Sequence, residues 1–281
     1  QVRVLLSLLV LLSLGSSVGF AQSGATTLPS QQMLSRYNLE RHWATHAVLN
    51  STRDKVTNIV LDEESVYIQT QNGFVTALDS ETGQRRWAQI LGRLDTPQHP
   101  VVSNSNVVLI NSGTKLFAVN KWTGTLLFEI DLPEQSGTRP VMDEERVYFG
   151  TLTGSVYAFD LEKIYSLYQE NLLPQWSYQA HVWRHRTSKK ITDQPLLRGD
   201  RLTFASETGT LYSVLGENDE LVFQMETRAP VSAPIVQYED MIYVATENQR
   251  LYCLDAARGT NRWVFVSRAQ IESPPYIINE R

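Results

Sequence analysis

Ala77-Leu78-Asp79-Ser80-Glu81-Thr82-Gly83-Gln84-Arg85-Arg86-Trp87 reads as the end of one strand, a tight turn, and a second strand that closes on tryptophan. Asp79 has the side chain to accept backbone N–H groups inside the turn, and Gly83 takes a positive φ at little cost. Upstream lies an alternating apolar run, Val66-Tyr67-Ile68-Gln69-Thr70, with Gly73 between it and Val75-Thr76-Ala77. Alternation of this kind, punctuated by glycine, is the signature of a β-hairpin.

The same unit returns along the chain. Val108-Leu109-Ile110 precedes Leu116-Phe117-Ala118-Val119-Asn120, Gly124 and Phe128. Val147-Tyr148-Phe149 precedes Val156-Tyr157-Ala158-Phe159-Asp160, whose tryptophan arrives late, at Trp176. Leu202-Thr203-Phe204 precedes Leu211-Tyr212-Ser213-Val214 and Phe223. Ile242-Tyr243-Val244 precedes Leu251-Tyr252-Cys253-Leu254-Asp255, Gly259 and Trp263. The small residue on the third strand marks the period: Ala77, Ala118, Ala158, Ser213 and Cys253. Its steps are about forty residues, except the one after Ala158, which is about fifteen longer.

A further strand starts each copy, after a proline in Pro100-Val101-Val102, Pro140-Val141-Met142, Pro195-Leu196-Leu197 and Pro234-Ile235-Val236, and as Asn58-Ile59-Val60 before the first. Acidic or amide turns such as Asp62-Glu63-Glu64 and Asp143-Glu144-Glu145 lead on to the second strand. Each unit is therefore four antiparallel strands. Such units repeated every forty-odd residues predict an all-β protein, a β-propeller of four-stranded blades. Five blades are complete.

Asp79 to Trp87 resembles the tryptophan-docking motif of the pyrroloquinoline-quinone-like propeller repeats, and Cys253 to Trp263 is a looser copy. The resemblance covers residues 37–281. It implies that each terminal aromatic lies over the adjacent blade. Trp43, in Leu39-Glu40-Arg41-His42-Trp43, resembles such a strand without its three predecessors. The chain closes just after the innermost strand of a sixth blade, and the expectation is a fragment of a propeller of roughly seven or eight blades. The resemblance extends to quinone-dependent dehydrogenases and to cofactor-free scaffolds, among them the propeller lipoprotein of the bacterial outer-membrane assembly machinery.

The third blade is the individual one. An insertion is read at 161–190. Leu161, Ile164, Leu167 and Tyr168 are spaced for a short helix ending before Pro174. After it comes the only basic cluster, with Trp183, Arg184, Arg186, Lys189 and Lys190, which is a candidate partner-binding surface.

The remaining features bound the function. The net charge of −5, with both signs interspersed, argues against a nucleic-acid partner. Val4 to Val18 is apolar and short, and Gly19-Phe20-Ala21 offers a cleavage site, so residues 1–21 read as a signal peptide and 22–36 as a flexible linker. The protein is expected to be exported, periplasmic or secreted, and not integral to a membrane. The single cysteine, Cys253, sits at a repeat position that holds alanine elsewhere and reads as a small buried residue. A quinone enzyme needs a calcium ion, a carboxylate base and an arginine against the cofactor. No such constellation maps onto this chain, so no catalytic, cofactor or metal residue is assigned. The expectation is a non-catalytic scaffold for a protein or cell-envelope component. The alternatives are the N-terminal part of a dehydrogenase that binds pyrroloquinoline quinone with calcium, and a propeller that senses a sugar or small ligand.

Overall fold

The computed structural model describes residues 28–47, 49, 54–94, 96–173, 175 and 177–276. The expected signal peptide and Trp176 lie outside the described residues. The expected linker carries a short exposed helix, α1 (Gln31–Ser35), capped by the Ser30 side chain.

Five four-stranded antiparallel sheets follow one another along the chain. Blade 1 comprises β1 (Val56–Leu61), β2 (Ser65–Thr70), β3 (Phe74–Asp79) and β4 (Arg85–Ile90). Blade 2 comprises β5 (Val102–Ser103), β6 (Val107–Ser112), β7 (Lys115–Asn120) and β8 (Leu126–Asp131). Blade 3 comprises β9 (Val141–Met142), β10 (Arg146–Gly150), β11 (Ser155–Asp160) and β12 (His181–Arg186). Blade 4 comprises β13 (Leu196–Arg198), β14 (Arg201–Ala205), β15 (Thr210–Leu215) and β16 (Leu221–Glu226). Blade 5 comprises β17 (Val236–Tyr238), β18 (Met241–Thr246), β19 (Arg250–Asp255) and β20 (Asn261–Val266). The first strands are innermost: β5 meets β9, β9 meets β13, and β13 meets β17.

One position explains the repeat. Ala77 pairs directly with Trp87, Ala118 with Phe128, Ala158 with Trp183, Ser213 with Phe223 and Cys253 with Trp263. On its other side Ala77 faces Tyr67, Ala158 faces Tyr148 and Cys253 faces Tyr243. A small residue between two rings lets them meet across it: Tyr67–Trp87 centroids are 6.2 Å apart and Tyr148–Trp183 centroids 5.8 Å. A larger side chain at Ala77 would force the rings apart in a site that is fully buried. A register shift follows the pair in every blade, which re-aims the outer strand into the turn.

The outer aromatics then join blade to blade. Trp87 Nε1 donates to the Lys121 carbonyl at 2.8 Å, and its ring lies where a Cβ on Gly124 would be. Phe223 lies against Gly259 in the same way. These glycines have φ of +70° and +67°, so two requirements, backbone and space, exclude a side chain at each.

Two expectations are corrected. The docking tryptophan of blade 3 is Trp183, not Trp176: it pairs with Ala158, is buried, and donates to the Gly216 carbonyl at 2.8 Å. Spacing misled here because the turn that normally follows Asp160 is replaced by α2 (Leu161–Gln169) and a 3-10 turn (Ser177–Ala180). The insertion therefore lies between β11 and β12, and residues 181–186 of the 161–190 span are an ordinary blade strand. Second, Trp43 sits in no strand, since residues 39–47 have no regular structure. Its ring nonetheless docks over Gly83 and its Nε1 donates to the Ser80 carbonyl at 2.9 Å. Ring burial and one hydrogen bond suffice to seat it without a strand ladder.

Asp160 caps α2 by accepting from the Lys163 amide, and Leu161, Ile164 and Leu167 pack with Phe128 and Ile130 of blade 2. In this junction the apolar side of a helix receives the aromatic that a glycine turn receives elsewhere. Among the described residues no helix is long and apolar enough to cross a membrane.

Candidate protein-binding surface

Antiparallel meanders place the turn between strands one and two beside the turn between strands three and four. Each blade ties them with a backbone hydrogen bond: Ser80 to Glu64, Lys121 to Asn106, Leu161 to Glu145, Gly216 to Asp200 and Ala256 to Asp240. All these turns therefore lie on one face of the propeller.

That face is acidic. Glu63, Glu144, Glu145, Asp200, Glu239 and Asp240 are exposed in its first set of turns, and Glu81, Glu217 and Glu220 in its second. The opposite face, with Arg93, Lys189 and Arg228 exposed, carries both signs. The net charge of the chain conceals this polarisation. Arg85, Lys163, Arg198 and Arg258 are also exposed on it, but the acids outnumber them, and a surface with an excess of one sign attracts and orients a partner of the other sign.

The turns are held by a second layer of polar contacts. Asp62 Oδ1 accepts the amides of Glu64 and Ser65, while its Oδ2 accepts Ser103 Oγ of the next blade at 2.7 Å. Buried Lys121 reaches back from blade 2 to Asp62 and Glu64, each at 3.1 Å. Burial pushes the Asp62 carboxyl up, but hydrogen bonds from Ser103, Glu64, Lys121 and Ser65 outweigh it and hold it below the ordinary value. Asp79 is held well below the usual carboxylate range by Arg86 and by the amide and hydroxyl of Thr82. Asp255 is paired with Arg262, which also meets Asp240. Ser105 bonds Glu144 across the junction between blades 2 and 3. Trp122 is exposed on this face, with the Arg86 guanidinium 4.7 Å from its ring centre. The result is a platform with an excess of negative charge, held by contacts across the blades and carrying the exposed Trp122.

The basic cluster does not form a surface patch. Trp183 is buried in its docking position. Arg184 lies over the Tyr157 ring and pairs with Glu134 and Ser155. Lys190 pairs with Glu207 of blade 4 at 2.8 Å. Arg186 and Lys189 are exposed on the opposite face from the acidic turns. Sequence proximity suggested a cluster; strand alternation turns Trp183 inward, away from Arg184 and Arg186, and Lys189 and Lys190 lie in the loop beyond the strand. The acidic face was missed because its residues fall one turn at a time, separated by turns of the other face. The signal was present: the acidic turns recur at the same point of each repeat. Among the described residues no group of three or more His, Cys, Asp and Glu is placed to hold a metal ion, and Cys253 is buried and unpaired.

The family model described as outer membrane protein assembly factor BamB matches residues 71–181 and again 177–277. No curated protein matches the sequence. Among solved structures, BamB from Moraxella catarrhalis superimposes with a TM-score of 0.56 at 18% identity, covering 74% of this chain and 60% of that one. The computationally designed Ika8 protein superimposes with a TM-score of 0.64 at 11% identity, covering 80% of this chain and 66% of that one. The chain thus spans about three fifths of the Moraxella propeller's length. At these identities the two structures establish the fold.

Proposed function

Because the chain belongs to the family described as outer membrane protein assembly factor BamB, we propose that it is an exported, non-catalytic propeller scaffold that holds a protein partner of the cell envelope. The observation that carries the reading is the acidic face, built from paired turns and tied across blades by Lys121, Ser103 and Ser105. A preorganised surface loses little freedom on binding, and its charge favours a partner segment rich in lysine and arginine. No cofactor is part of this reading.

Two measurements test it. Purified protein is immobilised and exposed to solubilised cell envelope at low and high salt. A specific protein retained by the native chain, released by salt and not retained by Glu144→Lys/Glu145→Lys supports the reading. Retention unchanged by the double reversal removes this face from the argument. Titration with pyrroloquinoline quinone and calcium, followed by absorbance, addresses the alternative. Tight, calcium-dependent binding would replace the scaffold with a quinone-dependent dehydrogenase.

A further inference from the structure

Blades 1 and 2 carry different amide side chains at one matched position beside the next blade. In blade 1 Gln69 clamps the start of the next blade's innermost strand: its Nε2 donates to the His99 carbonyl at 3.1 Å and its Oε1 accepts the Val101 amide at 3.0 Å. Blade 2 carries Asn111 at the equivalent place, one methylene shorter, and Arg139 stands where His99 stood. There the clamp is open. Asn111 Oδ1 and Arg139 Nε are both buried without a hydrogen-bond partner, and Gln98 Oε1, whose residue bridges Ser112 beside Asn111, is too. Of the five such side-chain atoms among the described residues, three belong to residues 98, 111 and 139, which backbone and side-chain bonds join to the 98–101 segment.

Arg139 is the member with a charge. It is half-buried, its Nη2 donates to the Val101 carbonyl at 2.6 Å, and none of the ion pairs among the described residues includes it. Burial pushes its guanidinium down, and among the described residues no carboxylate opposes it. A guanidinium keeps its proton throughout the physiological range, so the charge is not relieved by titration. Withdrawing an unpaired charge from water is costly, and water in the gap would supply hydrogen bonds but no counter-charge. His99, one blade earlier at the same level, turns its Nε2 to the Ser136 carbonyl at 3.3 Å and supplies no negative group either.

We infer that the inner corner between blades 2 and 3, on the face opposite the acidic turns, is a site for a small oxyanion, carboxylate or phosphate, with Arg139 as its charged donor. The guanidinium fork suits either group. The Asn111 amide completes the site by rotating to present its NH2, giving up a long 3.4 Å bond to the Lys115 carbonyl and turning its Oδ1 towards that carbonyl, a cost the anion has to offset. The inference is independent of the acidic-face reading, and its failure leaves that reading untouched.

The test is thermal unfolding of the purified protein in chloride, acetate or phosphate at constant ionic strength and pH 7, alongside Arg139→Gln. A ligand at tenfold excess over its Kd should raise the Tm of the native protein by about 3 °C. A saturable rise with acetate but not phosphate identifies a carboxylate group as the ligand, the reverse a phosphate, and either supports the site provided that Arg139→Gln abolishes it. Equal rises in the native protein and Arg139→Gln are a general salt effect and overturn the inference, as does no rise with either anion. Should Arg139→Gln fail to fold, the Arg139 Nε–H resonance of the native protein is followed through the same titrations. A saturable shift supports the site, and an invariant resonance overturns it.

Discussion

Trp87 and Trp263 hold the same place in the repeat, yet truncating them should have different costs. A tryptophan side chain carries up to about 250 Å² of surface, which at ~25 cal/mol per Å² sets an upper bound of about 6 kcal/mol for full burial. Trp87 is 6% exposed and its Nε1 bonds the Lys121 carbonyl. Trp87→Ala therefore loses almost all of that contact and strands a carbonyl, and a cost of about 3–5 kcal/mol is expected, as for other buried aromatics. Trp263 is 45% exposed and no turn lies under it among the described residues. About half the contact is at stake, so Trp263→Ala should cost about 2 kcal/mol. Urea unfolding of the two variants and the native protein, with slopes compared to confirm that one transition is being read, measures the difference. Equal losses would refute the idea that docking onto the next blade's turn, rather than contact within the blade, is what the tryptophan contributes.

Gly259→Ala places a methyl 2.3 Å from Phe223 Cδ2 at a φ of +67°, and the combined strain should lower stability by about 2–3 kcal/mol in the same unfolding assay. Lys121→Met removes the buried cation from Asp62 and Glu64; with Glu64 half exposed, a loss of roughly 2 kcal/mol at pH 7 is expected. Because Asp62 is depressed in the folded state, its contribution is present above the ordinary carboxylate value near 4 and is lost as pH falls through the folded value, so the acid limb of a stability–pH profile should flatten in Lys121→Met. Asp193 runs the other way. Burial, and then Glu247, push it up to about 6, so folding favours its protonated form and stability falls as pH rises from about 4 to 6. Asp193→Asn should remove that slope and raise stability at pH 8 by roughly 2 kcal/mol, and an unchanged profile would show that the carboxyl is not held this way.

Much of the fold was legible because each blade writes its own geometry locally. The proline, the acidic turn, the small third-strand residue and the Asp-x-x-Thr-Gly turn are neighbours in sequence and do their work within one hairpin. The helix at Leu161 was legible for the same reason, its apolar residues recurring at the helical period. The choice between Trp176 and Trp183 was not. It depends on which residue comes to lie opposite Ala158 once an inserted helix has taken up slack, and spacing carries no record of that.

The candidate surface was less legible still. Charges interspersed along the chain become an acidic face because successive turns go to opposite ends of each sheet, and only stacking the blades collects every second turn. Strand alternation separated Trp183 from Arg184, and the loop beyond the strand takes Lys190 to Glu207 of blade 4. The sequence by itself determined the repeat, the strand order within a blade and, where the period is kept, the residues that dock, since these rest on interactions within about ten residues or on the period. The tertiary structure alone decided which aromatic meets which turn, where the acidic turns gather, and that Arg139 has no counter-charge among the described residues. Those are relations between blades, set by packing across forty or more residues.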